Sequence, residues 1–180
     1  MDIKKLYSPK YRRLQVDEIS IRRVDEKDLQ FLKRLFDIDD ISQYYVITLE
    51  QRDDLRKFIE YTKTGGLFYI KENSRGESMG LFSCEFNMKS IEGDAYIGYA
   101  ILPEYRRHGY TEKILRKFIQ ISTTCHINNI VLDINDSNDP SQRMAIKCGF
   151  KKTDREGIFI DERIKEASPS HLWNLNLNQK

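Results

Sequence analysis

The chain of 180 residues carries little that would staple a fold together. It has three cysteines, three histidines, and no apolar run near the roughly 20 residues of a membrane span. Cys84, Cys125 and Cys148 stand singly with no C-x-x-C spacing, and no H-x-x-x-H spacing joins His108, His126 and His171. The spacings of structural zinc sites are therefore missing, and no metal is expected. An odd number of unclustered thiols fits a reducing cytosol, so three buried small hydrophobes and a cytoplasmic location are expected. An excess of one charge is also missing: 30 Lys+Arg face 28 Asp+Glu, a net +2. Nucleic-acid binders show a strongly basic face, so that class is disfavoured. No apolar stretch follows Met1-Asp2-Ile3-Lys4-Lys5, which argues against a secretory leader.

What is present suits a mixed α/β domain. At 39% hydrophobic residues the composition is that of an ordinary globular protein, and the length fits one compact domain with a sizeable core. Residues 1–18 are polar and basic and read as a loosely held arm; the domain is expected over 19–180. Residues 19–24 alternate as a first strand. Asp25 with Asp28 can cap a helix that carries Leu29, Leu32, Leu35 and Phe36. An acidic connection, Asp37-Ile38-Asp39-Asp40, leads on, and Thr48 with Gln51 opens a second helix to about Tyr61. Strands at 67–70, 78–87 and 94–102 form an antiparallel meander, stopped by Pro103. A helix at 111–126 and a buried strand at 129–134 follow. Another helix begins at Asp139-Pro140, with Asp139 as its cap, and ends at Gly149. Residues 154–169 read as a loop with a short strand at 158–160, and 171–177 as a last strand.

The chemistry lies in the turn after the third meander strand. Arg106-Arg107-His108-Gly109-Tyr110-Thr111 joins a strand to a helix start. The first four N–H groups of a helix lack partners, and the macrodipole adds about half a positive charge there, which suits a pyrophosphate. Gly109 permits close backbone approach, and Arg106 or Arg107 can add charge from the side. No Walker loop or G-x-G-x-x-G fingerprint is present. Asn138 and Ser141 open the next helix, beside the same presumed cleft.

These residues resemble the GCN5-related N-acetyltransferases (GNAT), particularly the branch that acetylates ribosomal-protein N-termini. The family's phosphate signature is [QR]-x-x-G-x-[GA], and Arg106 and Gly109 occupy its constrained places. Ile97-Gly98-Tyr99-Ala100-Ile101-Leu102-Pro103-Glu104-Tyr105 looks like the strand before it. Asn138-x-x-Ser141, ending in Lys147-Cys148-Gly149-Phe150, looks like the family's N-x-x-S…K-x-G-F segment. The resemblance spans residues 19–177. It implies a mostly antiparallel twisted sheet flanked by helices, with acetyl-CoA as cosubstrate and no metal. N–H groups of Arg107, His108, Gly109, Tyr110 and Thr111 would hold the coenzyme A pyrophosphate. Ile101 and Leu102 would pair with the pantetheine arm, and backbone near 99–101 would polarise the thioester carbonyl. Asn138 would bond a pantetheine amide, and Ser141 would protonate the departing thiolate. Two departures stand out. Thr111 replaces the signature's small residue, and Ala145 replaces a tyrosine that many relatives place four residues before the glycine.

Direct attack by an amine on the thioester needs a base. Glu85, Glu92 and Asp94 are candidates, with Glu85 preferred. The acidic run Asp37-Asp39-Asp40, followed by Tyr44-Tyr45, would wall an acceptor groove suited to a cationic amine. The expectation is an acetyl-CoA-dependent N-acetyltransferase acting on a protein N-terminal α-amine or a small primary amine. It would work as monomer or homodimer, with no membrane partner. A non-catalytic acyl-CoA-binding module and an RNA or ribosome binder led by the basic arm are the other classes considered.

Overall fold

The computed structural model describes residues 8–45, 47–86, 94–161 and 163–178. Its frame is one sheet of eight strands, in the order β1-β2-β3-β4-β5-β6-β8-β7. The strands are β1 (Arg13–Val16), β2 (Ile19–Arg23), β3 (Leu67–Glu72), β4 (Ser78–Phe86), β5 (Asp94–Ile101), β6 (Asn129–Asn135), β7 (Lys151–Asp161) and β8 (Glu166–Asn176). Every neighbouring pair is antiparallel except β5 and β6. The helices are α1 (Leu29–Phe36), α2 (Asp39–Tyr44), α3 (Leu49–Asp53), α4 (Leu55–Thr64), α5 (Tyr110–Thr124) and α6 (Asp139–Lys147). This is the mixed α/β architecture expected.

Side chains alternate across each strand, so the sheet has two apolar faces. Ile19, Ile21, Leu67 and Tyr69 on one face meet Ile114, Leu115 and Phe118 of α5 and Ala145 of α6. Phe68, Ile70 and Leu81 on the other meet Leu32, Leu35 and Phe36 of α1 and Phe58 and Ile59 of α4. There Phe36, Phe58 and Phe68 stack edge to face, at centroid distances of 5.4 and 5.6 Å. The three cysteines are free and buried.

The caps read from sequence form: Asp25 with Asp28 and Thr48 with Gln51 both make reciprocal capping boxes. Several elements differ. The acidic connection is partly helix, since Asp39 and Asp40 sit in the first turn of α2, where carboxylates suit the dipole. The helix after Thr48 breaks at Asp54, whose side chain accepts from the Arg56 N–H and so starts α4 afresh. The arm is partly built in: β1 pairs with β2 from Arg13 to Val16, and the Arg13 guanidinium lies 3.0 Å from Glu72. The loop expected at 154–169 is instead a long hairpin of β7 and β8. Its outer strand sits at the sheet edge and is mostly exposed, so its apolar signal is weak. Asn87 and Glu92 lie outside the described residues.

Candidate active site

β5 and β6 start as a parallel pair at Asp94↔Asn129, Ala95↔Ile130 and Tyr96↔Val131, and then separate. On its other side β5 stays paired with β4 as far as Ile101. Backbone groups alternate in direction along a strand. The Ala100 carbonyl faces β4, so Tyr99 and Ile101 turn theirs toward the opening. The gap widens into a cleft of about 1230 Å³. It is lined by β5 and β6, the turn before α5, the start of α6 and residues of α2.

At one end of the cleft is the cradle read from sequence. Among the described residues, no backbone carbonyl accepts from the N–H groups of 107–112; the first such bond runs from the Lys113 N–H to the Gly109 carbonyl, at 3.0 Å. Gly109 has φ +74 and open space where a Cβ would stand. Arg107 is also left-handed, at φ 65. These torsions turn successive N–H groups toward one side, a concave donor set that fits a diphosphate. His108 and Tyr110 stack on each other beside it, with centroids 5.3 Å apart.

Two expected contributors are engaged elsewhere. The Arg106 guanidinium grips Asp40 in a fork at 2.5 and 3.0 Å, and its Nε donates to the Ile101 carbonyl at 3.3 Å. It braces α2 against the turn rather than adding free charge, and it holds the Asp40 carboxyl below its ordinary range. Leu102 is fully buried. Its N–H donates to Met79 and its carbonyl accepts from Tyr105, at 2.9 and 3.0 Å, so it has no backbone group left for a ligand. Ile101 remains on the open edge.

Asn138, not Asp139, is the cap of α6: its side-chain oxygen accepts from the Ser141 N–H at 3.2 Å. Competition between neighbouring polar residues for the capping place is not decided by spacing. Ser141 is buried, and its hydroxyl is hydrogen-bonded to that of Tyr99. Burial pushes the Tyr99 phenol up, which keeps it protonated. Sequence reasoning used only the backbone of Tyr99. Its position in β5, two residues after a cleft-lining Ile97, was the available signal.

Glu85 enters the cleft from the other face of the sheet. Its carboxylate accepts from the Tyr61 hydroxyl of α4 at 2.7 Å, and burial raises its pKa despite that bond. Asp133 of β6, an exposed residue, also lines the cleft; sequence reasoning missed it. The other base candidate, Asp94, is buried and accepts from Asn129 at 2.7 Å where β5 and β6 still pair. Acidic residues at 37–40 carry less free charge than expected: Asp37 meets Lys33, Asp39 meets Arg163 and Asp40 meets Arg106. Tyr45 is core, its hydroxyl donating to Ser83, while Tyr44 reaches Ser137 across the cleft mouth at 3.1 Å. Among the described residues, no group of three or more His, Cys, Asp or Glu could hold a metal ion, and no helix is long and apolar enough to cross a membrane.

A family model, the acetyltransferase (GNAT) domain, matches residues 18–151. The chain belongs to the GNAT acetyltransferases. A curated relative, described as the uncharacterized N-acetyltransferase YoaA of Bacillus subtilis, is 23% identical over 169 residues, which cover 87% of this chain and 90% of that protein. Among solved structures, a ribosomal-protein-S5-alanine acetyltransferase from Vibrio fischeri superposes with TM-score 0.72 at 12% identity, over 93% of this chain and 97% of its own. A spermidine N-acetyltransferase from Vibrio cholerae, in complex with CoA and spermine, does so with TM-score 0.69 at 19% identity, over 87% and 93%. At these identities the likeness is one of fold, and the two solved relatives differ in acceptor.

Proposed function

We propose that this chain transfers an acetyl group from acetyl-CoA to a primary amine, by direct attack with both substrates bound. One observation carries the reading: the strand gap joins a free N–H cradle to a half-buried carboxylate from one sheet face and a hydroxyl pair from the other. Acetyl-CoA supplies an activated thioester acyl group. The residues present fit it, since the N–H groups of 107–111 form a concave anion site and the open edge of β5 can pair with an extended arm. Asn138 keeps its amide N–H₂ group at the cleft for an arm carbonyl. The free N–H groups of the β5 edge would steady charge that develops on a carbonyl oxygen.

Protons move at two places. Glu85 takes one from the incoming ammonium or amine, and its raised pKa makes it a better base. Ser141 Oγ holds the proton that a leaving sulfur needs, with Tyr99 Oη as its reserve. Tyr99 thus offers a phenol where Ala145 withholds one. The acceptor is a cationic amine, either a small molecule or a protein N-terminus as in the ribosomal-protein branch; Glu85 and Asp133 give its site a negative character.

The test is a melting scan with coenzyme A, followed by a free-thiol assay with acetyl-CoA and a panel of small amines and N-terminal peptides. Stabilisation and amine-dependent thiol release are expected. Stabilisation without thiol release would favour the non-catalytic module, and no response to coenzyme A would end both readings.

A further inference from the structure

Lys71 of β3 has no exposed surface, and the transfer chemistry above makes no use of it. Its Nζ donates to Thr111 Oγ1 at 3.1 Å and to the Ala100 carbonyl at 3.3 Å. The stem crosses β4 at Gly80, its partner in the ladder, where a Cβ would come within 2.2 Å of the Ala100 oxygen. The register also shifts between Lys71 and Glu72.

The groups packed around Nζ are uncharged. β2 presents Ile21, β4 presents Gly80, and β5 presents the Ala100 carbonyl and the Tyr99 ring, 5.8 Å from Nζ. α5 presents Thr111. The charged neighbours of Thr111 turn away: Glu112 bonds Arg116 and Lys147 at 2.9 and 2.6 Å, and Lys113 bonds Glu18 at 2.8 Å. Among the described residues no carboxylate lies within ion-pair reach of Lys71. A buried ammonium without an anion is costly, and burial alone brings the Lys71 pKa down to about 7. This amine stands behind the first turn of α5, against the one residue that departs from the family's small-residue signature.

We propose that Lys71 is a buried electrostatic part of the diphosphate cradle, acting through Thr111, and that binding of the donor's diphosphate draws a proton from solvent onto its Nζ. The inference rests on the donor assigned under Proposed function. The Thr111 hydroxyl accepts from Nζ, which leaves its own hydrogen to donate toward a phosphate oxygen. No covalent bond changes in the ligand; Nζ gains one proton and buffer loses one. Lys71 is a positioning residue, since it meets the ligand only through Thr111.

The test is isothermal titration of the whole chain with coenzyme A at about pH 8, in buffers of low and high ionisation enthalpy, with pantetheine as the phosphate-free comparison. The wild-type chain should take up about half a proton or more per coenzyme A bound. Lys71→Met should take up none and bind coenzyme A about tenfold more weakly, with pantetheine affinity unchanged. Thr111→Val, which keeps the shape and loses the hydroxyl, should weaken coenzyme A in the same selective way, and it remains informative if the lysine variant fails to fold. Coenzyme A binding without proton uptake in the wild type, or with wild-type affinity in Thr111→Val, overturns the inference while leaving the donor assignment intact. No coenzyme A binding by the wild type overturns the donor assignment itself.

Discussion

Arg22 and Lys71 are basic side chains on adjacent strands, the first partly and the second wholly covered, and they are treated in opposite ways. Arg22 bonds Asp28 at 2.8 and 2.6 Å and Glu72 at 2.6 Å, and these contacts push its pKa further up. Lys71 has a hydroxyl and a carbonyl, and its pKa falls. The same contrast runs through the molecule. Away from the cleft, charges close on each other, as in Arg163 with Asp161 and Asp39. Around the cleft the Arg106–Asp40 pair is closed as well, but Glu85 meets the Tyr61 hydroxyl rather than a cation, and behind the cradle Lys71 meets only a hydroxyl and a carbonyl. A closed set fixes the frame. An open one holds charge ready for something that arrives, at a cost in stability.

The largest effect should come from opening the closed set. Arg22→Met leaves Asp28 buried without its cation and Glu72 with Arg13 alone, and should cost about 3–5 kcal/mol in denaturant unfolding. A loss under about 1 kcal/mol would mean that the frame does not depend on that pairing. Next comes the open carboxylate. Glu85→Gln keeps the shape and the Tyr61 contact but cannot take a proton, so kcat should fall about a hundredfold or more with little change in melting temperature. Equal kcat would remove Glu85 as the base.

Lys71→Met should behave in the opposite sense to Arg22→Met, stabilising the ligand-free protein by about 1–3 kcal/mol near neutral pH. The pH dependence has a definite sign. Folding moves the Lys71 pKa from an unfolded value of about 10.4 to about 7. Between those values the unfolded chain binds more protons, so wild-type stability should rise with pH across that window. The difference between wild type and Lys71→Met should shrink over the same range; a constant difference would place the lysine's charge in water. Asp40→Asn should have the smallest effect. Its pair with Arg106 is partly exposed and solvent-screened, so about 0.5–1 kcal/mol is expected from thermal unfolding. A modest loss of coenzyme A affinity should accompany it as the turn before α5 loosens.

Features carried by neighbours in the chain were legible beforehand. The capping boxes at Asp25 and Thr48, the meander order and the Arg106–Thr111 turn all rest on residues a few places apart. The edge hairpin was not, because β7 buries little on either face and so carries almost no hydrophobic period. The fate of Arg106 was not legible either, since its partner Asp40 lies 66 positions away.

From the residues alone came the class of fold and the turn whose amides stay without backbone partners, because backbone torsion at Gly109 and helix-end donors are local properties. Tertiary structure alone decided which charges are closed and which stand open. Lys71 of β3 meets Thr111 of α5, 40 positions away, only across the folded sheet, and Ser141 of α6 meets Tyr99 of β5 likewise. Burial and charge pairing depend on what the whole sheet brings together, and no spacing along the chain records that.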